Sequence, residues 1–156
     1  MIPRIVQRSE AKIIGLSVRT SNQAETNPSL AKIPSLWNVF HQQKTAIPNR
    51  KKGQFSLGVY GEYENDQSGE YSLVAGVEVS SLEHVPQGMV ARIVPPGKYL
   101  VFSANGSHPK AIADTWTNIW KYFASGPSHR RAYTVDFEVY DESRPDAVEI
   151  YVAIQQ

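Results

Sequence analysis

Apolar residues recur at strand and helix spacing in the first half of the chain and predict four elements. A strand, a helix and the two strands of a hairpin follow one another, and a turn-rich stretch joins the hairpin strands. The strands are predicted at 11–20, 55–64 and 71–80, and the helix between the first two strands begins at 27–28. Pro34 either kinks the helix or marks where its regular part begins.

The second half of the chain repeats this order of elements. The limits of its predicted strands are 97–105, 131–141 and 147–155, with a shorter candidate at 89–94. The helix opens at 107–109 and ends at Gly126-Pro127. Its apolar residues lie along one stripe, formed by Ile112, Trp116, Ile119, Trp120 and Phe123.

Two short segments late in the two helices also resemble each other. Residues 35–40 and 118–123 share the pattern aliphatic-Trp-x-x-Phe, and this echo agrees with the repeated order of elements. We therefore predict an α+β fold, with one domain over 1–156 that contains an internal repeat of about 11–80 and 89–155. The repeats are predicted to be pseudo-symmetric strand-helix-strand-strand modules with antiparallel sheets and a cleft between the halves.

Composition and charge narrow the classes of protein that the chain fits. It has 156 residues, of which 41% are hydrophobic and 20% charged, as in an ordinary globular domain. A net charge of +1 argues against general nucleic-acid binding, which needs an excess of basic residues. There is no cysteine, no apolar core of a signal peptide and no run near the roughly 18 apolar residues of a membrane span. We expect a cytoplasmic protein that binds neither nucleic acid nor membrane directly.

Common catalytic and metal-binding motifs are absent from the sequence. There is no phosphate-binding loop, dinucleotide fingerprint or nucleophile elbow. The four histidines lack the spacing of metal ligands, so we expect no metal and no cofactor. The short basic runs at 50–52 and 129–131 are predicted to be solvated loops.

Alternation along the last predicted hairpin separates an apolar face from an aromatic and acidic face. The apolar residues, expected to be core under the second helix, are Val135, Phe137, Val139, Val148, Ile150, Val152 and Ile154. The opposite face is expected to carry Asp136, Glu138, Tyr140, Glu149, Tyr151 and Ala153. A solvent face usually carries lysine, threonine, arginine and glutamine, so this composition indicates another role.

The first hairpin has a comparable second face. Its expected members are Gly58, Tyr60, Glu62, Val74, Gly76 and Glu78. Glycines inside strands often mark the close approach of a backbone or a ligand. If the second faces of the two halves pack towards each other, they enclose an aromatic cleft. The residues expected to line it are Tyr60, Tyr140 and Tyr151 around Glu138, with Trp116 or Trp120 closing one end.

A carboxylate among aromatic rings favours an apolar cation as ligand. The rings supply contact area and cation–π attraction, and the carboxylate neutralises the charge. Burial would raise the pKa of Glu138, and a cationic ligand would lower that pKa again. The alternative is that Glu138 and Tyr151 form a solvated cross-strand pair, and alternation alone does not decide between the two.

The chain resembles the GyrI-like effector-binding domains of Rob-type AraC regulators and MerR-type multidrug regulators. Matching segments span nearly the whole sequence in the expected order. The segments that carry the resemblance are 14–19, 33–40, 58–60, 75–79, 86–89, 96–99, 116–120, 136–141 and 148–154. The most specific of them is Asp136-Phe-Glu-Val-Tyr-Asp141.

The resemblance implies a ligand cleft between two modules and a buried glutamate that binds lipophilic cationic drugs or dyes. That glutamate corresponds to Glu138, and an aromatic residue of the final strand corresponds to Tyr151. The residues expected to bind the ligand are Glu138, Tyr151, Trp116, Trp120, Tyr60, Tyr140 and Trp37. Regulators of this family carry a helix-turn-helix domain before the effector domain, whereas the first predicted strand here begins near residue 11. We therefore expect a standalone effector domain.

The resemblance leaves other functions open. Some GyrI-like proteins look like hydrolases of reactive xenobiotics, and here the pair would be Glu138 with Tyr151 or Tyr140, the glutamate positioning or deprotonating a water. A protein-interaction module is a further alternative, with a DNA-binding regulator or gyrase as partner. The related haem-binding fold is the most distant alternative, since no histidine is predicted on a pocket face.

Overall fold

Eight antiparallel strands form one curled sheet, and two long helices lie on its outer face. The computed structural model describes residues 3–53 and 55–156. The strands are β1 (Arg4–Arg8), β2 (Ala11–Ser21), β3 (Phe55–Gly61), β4 (Glu70–Val79), β5 (Val90–Val94), β6 (Gly97–Asn105), β7 (Asp136–Asp141) and β8 (Ala147–Ala153). The helices are α1 (Asn22–Glu25), α2 (Ile33–Gln43) and α3 (Lys110–Ala124), and a 3-10 turn covers Lys44–Ala46. The predicted α+β class and antiparallel pairing are confirmed, but the strands form one sheet instead of separate ones.

The strand order across the sheet is β1-β6-β8-β7-β3-β4-β2-β5. The predicted order of elements occurs twice, as β2-α2-β3-β4 and as β6-α3-β7-β8, with the single-turn α1 inserted in the first. Strands β3 and β7 pair at the middle of the sheet and join the two halves. Strand β1, at the start of the chain, pairs with β6 of the second half. Strand β5, which directly precedes β6, pairs with β2 of the first half.

The start of α2 resolves the two interpretations of the segment from Asn27 to Pro34. The helix begins at Ile33, so its regular part starts next to Pro34. The Glu25 carboxylate accepts hydrogen bonds from the backbone N–H groups of Lys32 (3.0 Å) and Ile33 (3.2 Å). These N–H groups have no partner inside the helix, and proline is tolerated in this turn because it lacks an N–H.

Apolar residues are buried on both faces of the sheet. On the outer face, Phe40 of α2 and Ile119 of α3 are fully buried in two separate clusters against the strands. On the inner face, the curl brings β2 and β6 together, and Ile13 and Tyr99 lie in one cluster with Phe137. The helices therefore cover only the outer face, and the inner face closes on itself.

The relative register of the hairpin strands differs from the expectation by one residue. Phe137 lies opposite Tyr151, and Glu138 lies opposite Ile150. Directly opposed residues project to the same side of a sheet, so Phe137 is an inner-face residue and Glu138 shares the outer face with Ile150. The prediction that Phe137 and Ile150 pack together under the second helix is therefore wrong.

The first hairpin shows the same shift. Gly58 lies opposite Ala75, and Leu57 lies opposite Gly76, so the two glycines occupy different faces. Gly58 nevertheless lies opposite Glu138 across the central strand pair, on the outer face. Alternation correctly predicts which residues of one strand share a face. The turn that connects two strands determines which of their faces lie on the same side of the sheet.

Replacing Phe137 with alanine should lower the free energy of unfolding by about 3–5 kcal/mol, because a core phenylalanine leaves a cavity when it is truncated. Phe137 is 0% exposed and stacks on Tyr151 with ring centres 4.5 Å apart. Urea denaturation followed by circular dichroism measures the change. Phe55→Ala is the control, since Phe55 is 47% exposed. Equal losses in the two variants would contradict the assignment of Phe137 to the inner core.

Candidate ligand-binding site

A cleft of about 940 Å³ lies between α2 and α3, above the outer face of the central strands. Residues from α2, α3, β3 and β7 line it together. It brings together six of the residues that the sequence analysis selected, namely Trp37, Tyr60, Trp116, Trp120, Glu138 and Tyr140. A cleft between the halves is therefore present as predicted, but the two faces lie side by side on one sheet instead of packing towards each other. The strand pair that joins the halves is the floor of the cleft.

Glu138 lies at the floor of the cleft and is 1% exposed. Its Oε2 accepts hydrogen bonds from the Trp116 indole N–H (2.6 Å) and the Tyr60 hydroxyl (2.9 Å). Its Oε1 accepts one from the Tyr140 hydroxyl (2.6 Å). Among the described residues, no lysine, arginine or histidine forms an ion pair with this carboxylate. Three neutral donors therefore solvate a buried acid that has no counterion in the part of the chain that the structure describes.

The protonation of Glu138 depends on two opposing effects. Burial raises the pKa of its carboxyl group, and the hydrogen bonds from Tyr140, Trp116 and Tyr60 oppose this by lowering it. Burial also raises the pKa values of Tyr60 and Tyr140 well above their usual value of 10.0. Both tyrosines therefore stay neutral and donate hydrogen bonds. In this cluster, Glu138 is the group whose protonation can change when a ligand binds.

Aromatic rings on both sides of Glu138 form the accessible surface of the cleft. Trp37 of α2 packs edge-on against Tyr140 of β7, with ring centres 5.0 Å apart. Trp116 of α3 packs edge-on against Tyr60 of β3 at 5.4 Å. All four rings are partly exposed, and Trp120 lies beyond Trp116 at 6.5 Å. A ligand in the cleft therefore meets aromatic faces first and the carboxylate behind them.

Gly58 makes room for this arrangement. A Cβ atom at this position would lie 2.9 Å from Oε1 of Glu138 and 3.2 Å from the Trp37 ring. Any larger residue would push the carboxylate away from its donors or displace the ring. The strand glycine that the sequence analysis noticed is thus a spacing element of the site.

A second buried carboxylate lies two residues before Glu138 on the same face of β7. Asp136 forms an ion pair with Arg131 at 2.7 Å, and the two side chains are 0% and 4% exposed. Asp136 also accepts hydrogen bonds from the Ala153 backbone N–H (2.8 Å) and the Tyr63 hydroxyl. The charge of Asp136 is therefore neutralised within the protein, unlike that of Glu138.

Arg131 is a residue that sequence reasoning misjudged. The run 129–131 was expected to be a solvated loop, but the Arg131 side chain is buried and lines one end of the cleft. Its guanidinium also lies over the Tyr133 ring, 4.3 Å from the ring centre. The nearby Asp136 on a predicted strand was the available signal, since a buried aspartate needs a cationic partner.

Tyr151 does not lie in the cleft. It projects from the inner face of β8, stacked on Phe137, whereas Glu138 projects from the outer face of β7. Its hydroxyl donates to Glu149 at 3.3 Å. The expected cross-strand pairing of Glu138 with Tyr151 is wrong for the reason given above, the one-residue difference in register.

Within residues 3–53 and 55–156, no cluster of histidine, aspartate and glutamate side chains could hold a metal ion. No helix there combines the length and the apolar character needed to cross a bilayer.

The curled sheet and the cleft are those of an effector-binding protein. The chain belongs to the family of integron-associated effector-binding proteins, whose model matches residues 4–154. This family has the GyrI-like fold, so the resemblance noted in the sequence is confirmed.

Individual relatives agree with this assignment. The chain is 29% identical over 152 residues to the putative transcriptional regulator protein YobU of Bacillus subtilis, covering 93% of this chain and 92% of that protein. It superposes on the crystal structure of the integron cassette protein VCH_CASS2 from Vibrio cholerae with a TM-score of 0.84, 35% identity and coverage of 98% and 95%. SAV2435, in a structure bound to tetraphenylphosphonium, has the same fold, with a TM-score of 0.77, 19% identity and coverage of 99% and 94%. The chain is thus a small-molecule-binding protein whose relatives include transcriptional regulators.

Removing the partner of Asp136 should strongly destabilise the protein. We expect Arg131→Met to lower the free energy of unfolding by about 3–5 kcal/mol, because it leaves an uncompensated charge in the interior. Chemical denaturation at neutral pH measures the loss. Lys110→Ala is the control: it breaks the ion pair with Asp114, whose side chains are 83% and 59% exposed, and should change stability by less than about 0.5 kcal/mol. A loss below 1 kcal/mol in Arg131→Met, on the scale of a surface pair, would show that this ion pair does not stabilise the end of the cleft.

Proposed function

We propose that the cleft binds amphipathic organic cations with an aromatic or otherwise apolar body. The observation that carries this proposal is the state of Glu138, a buried carboxylate held by neutral donors alone. Asp136, on the same face of the same strand, has Arg131 as its counterion. A cationic ligand would give Glu138 the counterion that the described residues do not supply.

The surroundings of Glu138 suit a large cation better than a small one. A small hydrated ion would lose its water shell among aromatic rings without gaining enough ligands. A lipophilic cation has little hydration to lose, buries apolar area against Trp37 and Trp116, and gains cation–π attraction from the ring faces. The carboxylate acts from behind these rings, where its burial reduces screening by solvent.

The likeness to SAV2435 supports the proposal as a precedent for the fold. The structure of that protein is bound to tetraphenylphosphonium, a lipophilic cation with four phenyl rings. At 19% identity the likeness establishes the fold alone. We infer a cationic ligand from Glu138 of this chain, and tetraphenylphosphonium is a suitable compound for the test.

Relatives that are transcriptional regulators suggest how binding would be used. We propose that this chain senses or sequesters the cation, and that any regulatory effect passes through a partner protein, such as a DNA-binding regulator. The net charge of +1 does not favour direct binding to DNA.

Replacing Glu138 with glutamine should weaken binding of tetraphenylphosphonium about 10- to 100-fold, since the change removes the charge but keeps the shape. This range corresponds to about 1–3 kcal/mol, as for hydrogen bonds to charged groups and desolvated cation–π contacts. Isothermal titration calorimetry measures the affinity, and quenching of tryptophan fluorescence reports occupancy of the cleft. Binding of neutral triphenylphosphine oxide should change little.

Glu83→Gln is the matched control for this experiment, because it removes one negative charge at an exposed position outside the cleft. If Glu138→Gln and Glu83→Gln bind the cation equally well, Glu138 is not its partner. Hydrolysis is tested in the same samples by mass spectrometry. Loss of turnover with preserved binding in Glu138→Gln would favour the hydrolase alternative.

Cation binding should also depend on pH. Because burial raises the pKa of Glu138, the carboxylate becomes neutral at a higher pH than an ordinary glutamate with a pKa of 4.5. Tetraphenylphosphonium has a fixed charge, so its affinity should be highest above this raised pKa, where Glu138 is ionised. The affinity should fall as the pH is lowered through this pKa. Titrations at constant ionic strength measure the effect. A pH dependence of equal size in Glu138→Gln would assign it to another titratable group, such as His41, which also lines the cleft.

A further inference from the structure

A second cavity, of about 890 Å³, lies on the other side of the central strands. Its apolar wall is formed by inner-face residues, among them Leu57, Val139 and Tyr151. The segment 47–53, with three consecutive basic residues from Arg50 to Lys52, forms much of the remaining wall. Tyr151 thus lines a different cavity from the one that contains Glu138.

Arg8 is one of the charged residues that line this second cavity. It is partly buried, and its guanidinium lies 5.0 Å from the centre of the Tyr151 ring and 5.3 Å from that of Phe137. The two rings lie within cation–π distance of the guanidinium, and they favour this position and weaken its hydration. Within the described residues, Arg8 forms no ion pair with a carboxylate.

The carboxylates that line the cavity are already neutralised. Each forms an ion pair with a basic residue, Glu142 with Lys44 at 2.6 Å, Glu78 with Lys51 at 3.3 Å and Glu149 with Arg4 at 2.6 Å. In the same part of the chain, Arg8, Arg50 and Lys52 line the cavity without such a partner. The unpaired charge in the second cavity is therefore positive.

We propose that the second cavity binds an organic anion with a flat apolar body and one anionic head group, such as a carboxylate, sulfonate or phosphate ester. The head group would take hydrogen bonds from Arg8, whose planar guanidinium matches these oxygens, with Arg50 and Lys52 at the rim. The apolar body would pack against Leu57 and Tyr151. The site lies on the opposite face of the sheet from Glu138 and does not depend on the cation proposal.

Naphthalene-2-sulfonate is a suitable compound for the test, and nitrogen-15 NMR of the full chain is a suitable method. All three tryptophans line the first cleft and none lines the second cavity, so their indole signals report the first cleft alone. We expect the sulfonate to shift the backbone signals of Arg8, Leu57 and Tyr151 and to leave the indole signals unmoved. Tetraphenylphosphonium should do the reverse.

Substitutions separate the charge from the apolar wall. Arg8→Gln should weaken sulfonate binding about tenfold or more, as expected when a hydrogen-bonded charge is removed. Lys52→Gln, at an exposed position, should weaken it about two- to fivefold. Arg130→Gln, which removes one exposed positive charge outside the cavity, should have no effect. Lys52→Gln keeps the test valid if Arg8→Gln fails to fold.

Three results would overturn the anion site. The first is equal affinity of Lys52→Gln, Arg8→Gln and Arg130→Gln for the sulfonate. The second is an affinity of the parent protein for neutral 2-naphthalenemethanol that equals its affinity for the sulfonate. The third is that the sulfonate shifts the indole signals alone. Glu138→Gln should bind the sulfonate as the parent does, so failure of the cation site and failure of the anion site give different results.

Discussion

The outer face of the sheet is organised around a buried carboxylate that has no counterion in the described residues. Moving Glu138 out of water carries a free-energy cost, and each surrounding group reduces that cost in part. Two tyrosine hydroxyls and an indole N–H donate to the carboxylate, and these donors belong to β3, β7 and α3. The position of α3 on the sheet is therefore connected to the protonation state of one side chain. A ligand that neutralises this charge changes the free energy of the folded state as well as filling the cleft.

The contrast between Asp136 and Glu138 shows how the same chemical group serves two purposes. Both acids are buried on the outer face of β7, two residues apart. Arg131, a backbone N–H and the Tyr63 hydroxyl all contact Asp136, and this fixes the segment before β7 against β8. Glu138 has only neutral partners and faces a cleft open to solvent. The first arrangement stabilises the fold, and the second leaves electrostatic free energy available for a ligand.

Most of the fold and much of the cleft were predictable from the sequence, because they depend on local periodicity. Apolar spacing located both long helices, and alternation within β7 placed Glu138 and Tyr140 on one face. The position of Tyr151 was not predictable this way, since it depends on how β7 and β8 align across their turn. Strand β1 was also missed, because five residues with arginine at each end form a strand only by pairing with the edge of β6. The burial of Arg131 likewise depends on its ion pair with Asp136 and not on the basic residues beside it.

The pairing of Gly58 with Glu138 has a consequence for how such a site can arise. These two residues face each other directly on the strands that join the halves, and the glycine leaves space for the carboxylate. If two identical chains formed this strand pair around a two-fold axis at this position, an acid would face an acid, or a glycine would face a glycine. Like charges at such a distance repel, and one of the two would have to bind a proton. A single chain that carries both halves escapes this restriction, because each half can change alone. Asymmetry between the two halves at this pair of positions thus allows a single negative charge at the floor of the cleft.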